Sequence, residues 1–301
     1  MYAAPAQLDD QPDSDGFVLS AEQVEAEEGP LGRGLHLKDN VTITRGGARL
    51  TSSQGLYYEA RRYAVLFGNV SGVDGDRAVS CDTLRYFRDD DIALLIGNAS
   101  YADSAGTTTA RRIDWRRNDG LAVCRGDVVS RDADGEVELR SQWLVYDFER
   151  EEARASGKPV LVTYDENGGE DGTLEADLIV ILATDESIAA FGNVRVTRED
   201  ITTGSRLASL DDDGNIELLG DPFIQQERDR LSGQRIRISI SDEQVSRVTA
   251  VGGARTEYSL EGGEGGEEPS HGHVSGDTLT MFFEEGDPVL TTVRGSAASM
   301  H

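Results

Sequence analysis

A Gly-Asn or Gly-Asp pair followed by a small apolar residue recurs along the chain. The clear copies are Gly68-Asn69-Val70, Gly97-Asn98-Ala99, Gly126-Asp127-Val128, Gly192-Asn193-Val194 and Gly220-Asp221-Pro222. Looser copies are Asp39-Asn40-Val41, Gly157-Lys158-Pro159-Val160, Gly252-Gly253-Ala254 and Gly295-Ser296-Ala297. From Gly68 to Gly252 the glycines follow one another at intervals of 28–35 residues, and the last step, to Gly295, spans 43 and holds an insert. A period of this size marks a repeat architecture, in which each unit buries its apolar face against its neighbours.

The residues before each glycine say what the unit is. Two and four places upstream lie Leu66 and Ala64, Leu95 and Ala93, Cys124 and Ala122, and Ala155 and Ala153. The series continues with Ala190 and Ile188, Leu218 and Ile216, and Ala250 and Val248. All are apolar and share one parity, and a strand shows residues of one parity on one face. The other parity is mixed, with Phe67, Ile96 and Phe191 beside Arg125, Ser156 and Arg247. Each unit therefore carries a strand with one strictly apolar face. The glycines Gly68, Gly97, Gly126, Gly157, Gly192, Gly220 and Gly252 fall on that face by parity. Glycine weakens a strand interior and marks a bend or a close approach, so the row reads as structural: a bent sheet, or a groove from which side chains are withheld.

A second strand follows in each unit, as in Leu84-Arg85-Tyr86, Ile113-Asp114-Trp115, Leu144-Val145-Tyr146 and Ile236-Arg237-Ile238. Turn dipeptides such as Asp74-Gly75, Asp119-Gly120 and Asp213-Gly214 separate the strands. Two strands per ~30 residues, repeated eight or nine times, predict an all-β chain of roughly sixteen strands. Residues 21–28 (AEQVEAEE) read as an irregular first strand rather than a helix. The repeats occupy 17–260. Residues 1–16 are expected to be disordered, with Ala4-Pro5-Ala6 resembling the end of a signal peptide. Residues 261–275 read as an acidic, Gly- and Glu-rich loop. Residues 276–301 read as a final unit that stops within a new copy.

Charge and motif limit the function. The 301 residues carry 56 acidic and 29 basic side chains, a net charge of −27. That argues against nucleic acid as a partner, because phosphate binding needs a basic patch, and Arg111-Arg112 with Arg116-Arg117 is a short one. No run of ~18 apolar residues predicts a membrane span. Cys81 and Cys124 lie in no metal-ligand pattern and read as small buried residues, with a disulfide left open. Four histidines and the absence of nucleophile, zinc or phosphate-loop motifs give catalysis no support. Two stretches, Asp132-Ala133-Asp134-Gly135 and Asp211-Asp212-Asp213-Gly214, imitate calcium loops. Neither places a carboxylate at the twelfth position, so both read as hairpin turns. No metal or cofactor is expected. The recurring Asp82, Asp177 and Asp277 are assigned to turns or strand starts.

One half-unit reads small-Asp-x-Leu, as in Cys81-Asp82-Thr83-Leu84 and Gly276-Asp277-Thr278-Leu279, or the shorter Ala176-Asp177-Leu178, and an apolar strand ending in Gly-Asn-Val follows. This resembles the OstA-like periplasmic proteins of lipopolysaccharide export, the group of LptA, LptC and the N-terminal domain of LptD. The resemblance spans about residues 34–260 and one unit near 276–299. It implies an elongated, folded-over β-jelly-roll (a β-taco), V-shaped in section. It also implies a periplasmic location and acyl chains of lipopolysaccharide (lipid A) held between the two sheets. End-to-end strand addition to other OstA-like components would make a bridge to the outer membrane. The chain departs from the family in its length, its acidity and the lack of an adjoining barrel. On this reading the groove is lined by Leu66, Val70, Leu84, Tyr86, Leu95, Ile113, Trp115, Val128, Leu144, Tyr146, Val194, Ile236 and Ile238. The alternative is a structural or adhesive β-solenoid in which the same residues fill a solid core. An enzyme on a β-helix would need carboxylates on one outward ladder, and here they scatter through turns.

Overall fold

A computed structural model describes residues 16–29, 31–185, 187–241, 244–260, 270–284 and 287–300. The chain divides into two compact units, residues 1–149 and 150–301. Unit 1 holds β1 (Val18–Ser20), β2 (Gln23–Gly29), β3 (Gly32–Arg45), β4 (Ala48–Tyr58), β5 (Tyr63–Asp74), β6 (Arg77–Phe87), β7 (Ile92–Asp103), β8 (Gly106–Arg116), β9 (Leu121–Asp132) and β10 (Val137–Asp147). Unit 2 opens with β11 (Glu152–Ser156), β12 (Val160–Tyr164), β13 (Glu170–Glu175), β14 (Leu178–Leu182), β15 (Ser187–Arg198), β16 (Ile201–Leu210) and β17 (Ile216–Leu219). It closes with β18 (Phe223–Gln226), β19 (Asp229–Ser232), β20 (Arg235–Ser241), β21 (Gln244–Leu260), β22 (Ser270–Glu284), β23 (Asp287–Arg294) and β24 (Ala298–Met300). A 3-10 turn, Glu59–Arg61, joins β4 to β5. No helix among the described residues is long and apolar enough to cross a membrane.

Strand pairing is antiparallel throughout, and from β3 to β10 each strand pairs with the next. The expected sixteen strands become twenty-four, and the glycine repeat explains the excess. On β5, Phe67 faces Thr83 and Val70 faces Cys81, so Gly68 and Asn69 oppose the single residue Asp82 of β6. This is a two-against-one β-bulge. Gly68 has φ 77° and Asn69 φ 51°, both left-handed. The pattern repeats at Gly97-Asn98, Gly126-Asp127, Gly192-Asn193 and Gly220-Asp221, and at Gly157-Lys158 and Gly252-Gly253. Glycine takes this conformation without steric cost, and Asn and Asp tolerate it best among the rest. Within each unit the bulges fall on every second strand, each opposed by a single residue of the strand beside it, and together they form a crease across the paired strands. Where the crease interrupts pairing fully, one long strand is split into two: β1 with β2, β11 with β12, β13 with β14, β17 with β18, β19 with β20, and β23 with β24. Joining these six pairs leaves eighteen long strands among the described residues.

Three expectations need correction here. None of the seven repeat glycines is buried, and Gly68 and Asn69 are both exposed. They serve the backbone bend and do not empty a groove of side chains. Asp82 and Asp277 lie inside strands and not in turns or at strand starts, whereas Asp177 sits in the bend just before β14, as expected. Asp82 lies within β6, and a Cβ on Gly97 would stand against its carboxylate, as would one on Gly192 against Asp177 and one on Gly295 against Asp277. Residues 270–275, expected in a loop, belong to β22, which pairs with β21 from Leu260↔Ser270 onward. The expectations for residues 1–15 and 261–269 lie outside the described residues.

The crease also decides which residues face in. On β5 and β7 the buried positions keep one parity through the bulge: Ala64, Leu66, Val70 and Gly72, then Leu95 and Ala99. On the opposing strands the parity switches, from Cys81 to Leu84 and from Ala110 to Ile113. Two halves of each strand thus contribute to one interior. In unit 2 the buried residues flank that unit's own bulges, with Ile179, Ala190, Leu218, Ile236, Ala250 and Leu279 on one side and Val194 and Ala254 on the other.

Candidate functional site

The crease is itself an organised polar feature. Asn98 Nδ2 donates to the Asp82 carboxylate at 3.0 Å, and Asn193 Nδ2 donates to Asp177 Oδ2 at 2.9 Å. Where the bulge carries Asp, the opposing strand carries Arg: Arg111 Nε donates to Asp127 Oδ2 at 2.7 Å, and Arg206 approaches Asp221 at 3.5 Å. The Asp177 amide donates to both Phe191 O and Gly192 O, at 3.1 and 2.9 Å. Each exchange satisfies polar groups that the bulge has unpaired.

Folding along this line sets two apolar walls face to face in unit 1. The first wall comes from Ile43 on β3, Ala48 and Leu50 on β4, Gly72 on β5 and Val79 on β6. The second comes from Leu84 and Tyr86 on β6, Ala93 and Leu95 on β7 and Trp115 on β8. Between them lies a narrow groove, partly open to solvent, with a cavity volume of about 80 Å³. A Cβ on Gly72 would come within 2.5 Å of the Leu50 side chain, so glycine is what lets that wall close up.

Contacts between the walls clasp the mouth. Arg45 Nη1 donates to Tyr86 Oη at 2.5 Å, and Tyr86 Oη donates to Asp91 Oδ1 at 3.0 Å. Arg117 Nη2 donates to Asp74 Oδ2 at 2.8 Å. Farther along, Tyr101 and Trp115 meet edge to face at 5.7 Å between centroids. The Arg77 guanidinium stands 5.7 Å over the ring of Phe148, and Tyr146 Oη lies 3.1 Å from Thr108 Oγ1 and 2.6 Å from Ser130 Oγ. Burial pushes the Tyr86, Tyr101 and Tyr146 phenols above their ordinary pKa, so they act as neutral hydrogen-bonding groups.

Of the thirteen expected lining residues, Leu84, Tyr86, Leu95 and Trp115 line this groove. Leu66, Val70, Ile113, Val128 and Leu144 pack at the crease with 0–2% exposure. Tyr146 lies outside this groove, half-buried and within hydrogen-bond distance of Thr108 and Ser130. Val194, Ile236 and Ile238 are buried in unit 2. The first wall and the charged rim of Arg45, Asp74, Arg77, Asp91 and Arg117 escaped the sequence reading. It followed the positions just before and just after each glycine and the strands typified by Leu84-Arg85-Tyr86, and went no farther from the crease. Val79 and Cys81, alternating on the far side of Asp82, were the available signal.

Both cysteines are buried and free. Burial pushes the Cys81 thiol up to about 11 and the Cys124 thiol up to about 12. The two calcium-loop imitations are hairpin turns in which Asp132 Oδ1 accepts from the Val137 amide at 3.1 Å and Asp211 Oδ1 from the Asn215 amide at 2.7 Å. Among the described residues no three His, Cys, Asp or Glu side chains cluster as a metal site would require.

No protein-family profile matches the chain, and no curated protein matches its sequence. Among solved structures it is similar to LptH, the LptA-homologous periplasmic component of the conserved lipopolysaccharide transport device from Pseudomonas aeruginosa. Identity is 20% over 35% of this chain and 74% of that one, with a TM-score of 0.31.

Proposed function

We propose that this chain is a non-enzymatic periplasmic carrier that shields the acyl chains of lipopolysaccharide between the two walls of its folded sheet. The observation that carries the reading is the unit 1 groove, whose walls are aliphatic and aromatic and whose mouth is held by breakable polar clasps. Burying an acyl chain there releases about 0.8 kcal/mol per CH₂, so a twelve-carbon chain gains roughly 10 kcal/mol before costs. A row of aliphatic side chains grips no single carbon, which suits a cargo that must move on. Joining to like components by strand addition completes the proposal. Strand β23 pairs with β22 and presents Val289 and Leu290, 52% and 55% exposed, as an apolar patch beside that end of the sheet.

Photocrosslinking tests it. A probe at Leu95 or Tyr86 should capture lipopolysaccharide, and one at the exposed Arg85 should not. Equal capture at both positions removes the groove from the mechanism. The second reading, a structural solenoid with a solid core, is favoured by the full burial of Leu66, Val70, Val128 and Leu144 at the crease. It expects no capture at any inward position.

A further inference from the structure

The chain carries a net charge of −27, yet the groove lining holds three arginines against two aspartates. Arg45 comes from β3, Arg77 from β6 and Arg117 from the turn after β8, and all three border an otherwise apolar surface. Two of them are tied to carboxylates of the opposite wall: Arg45 to Asp91 at 3.1 Å and Arg117 to Asp74 at 2.8 Å. Arg77 makes a cation–π contact with Phe148. The Asp91 and Asp74 side chains are 17% and 24% exposed, so both stand where water can take over a released carboxylate.

We propose that Arg45, Arg77 and Arg117 form a binding site for the phosphate-type headgroup of an amphiphile whose hydrocarbon lies on the groove walls. Asp74 and Asp91 hold the places of that headgroup in the empty protein. The proposal rests on the reading of the groove as a lipid site and adds the class of headgroup. A phosphate offers more charge and more acceptor oxygens than a carboxylate, and guanidinium groups match it in planar, two-point fashion. Because each ion pair spans the mouth, exchanging carboxylate for phosphate loosens one wall from the other and leaves the Arg45–Tyr86 hydrogen bond as the remaining tie at Arg45. Entry of the headgroup and opening of the groove become one event.

Isothermal titration of the full chain with dodecyl phosphate, dodecyl maltoside and inorganic phosphate, the two detergents below their micelle concentrations, separates the outcomes. The expected result is binding of both detergents, with dodecyl phosphate tighter by roughly tenfold, the scale of one charge-assisted contact. Inorganic phosphate should bind far more weakly than dodecyl phosphate. The Arg45→Gln, Arg117→Gln double variant should lose the preference for phosphate and keep dodecyl maltoside binding. Arg45→Lys, which retains the charge, should keep part of the preference and serves as the folding control. Asp91→Asn should tighten dodecyl phosphate alone. Equal affinities that the arginine variants leave unchanged would overturn the headgroup site while leaving the groove intact. Inorganic phosphate binding as tightly as dodecyl phosphate would overturn it in favour of a free-anion site. No binding of either detergent would sink the lipid reading and this inference with it.

Discussion

At the scale of single residues, the repeat glycines answer to backbone geometry rather than to space inside the sheet. Gly97 has φ 77°, and a Cβ there would sit 2.3 Å from Asp82 Oδ2. Gly97→Ala should therefore destabilise by at least about 1–2 kcal/mol from the left-handed backbone alone, read from urea unfolding. A change under a few tenths would mean the bulge can straighten. Glu138 is the clearest pH-sensitive group. Burial raises its pKa, but hydrogen bonds and charge from Arg140 and Arg131 outweigh that and hold it below the ordinary 4.5. A carboxyl depressed in the folded state adds stability above its unfolded pKa and forfeits it as pH falls through the folded value. Glu138→Gln should thus flatten the loss of stability below pH 4.5, measured by acid titration of the unfolding midpoint. The cysteines make an opposite case. With thiols held near 11 and 12 by burial, Cys81 and Cys124 should resist alkylation at pH 8 in the native protein and react at once in urea.

At the scale of elements, the unit is a pair of bent strands whose crease is written twice, once as the bulge and once as the residue facing it. Gly-Asn bulges face Asp82 and Asp177, while Gly-Asp bulges face Arg111 and Arg206. The bend separates two kinds of inward position. Leu66, beside the crease, is fully buried, whereas Leu50, on the groove wall, is only half-buried. Leu66→Ala should cost about 2–5 kcal/mol and Leu50→Ala clearly less, because water already reaches part of that wall. Equal costs would argue that the wall is packed shut.

At the scale of the whole molecule, an excess of 27 negative charges sets up self-repulsion that salt screens. Raising sodium chloride from about 10 mM to about 500 mM should raise the unfolding midpoint. A falling midpoint would mean that ion pairs such as Arg111–Asp127 and Arg117–Asp74 outweigh the repulsion. Charge and pattern together also account for what was legible before any coordinates. The period of the glycines and the parity of Leu66, Leu95, Ala190 and Leu218 required β-strands in quantity, because no other backbone gives a two-residue period.

The all-β class, the repeat and the strand faces next to each glycine were settled by local rules of backbone and side-chain alternation. Where those faces go was not. A left-handed bulge reverses parity on the opposing strand, so a linear pattern cannot say which distant half-strand comes to stand across the interior. Only the fold brought Ile43 and Leu50 against Leu84 and Leu95, and Arg45 to Asp91. Those pairs lie more than thirty positions apart, and their meeting depends on the angle of a crease that no single strand records.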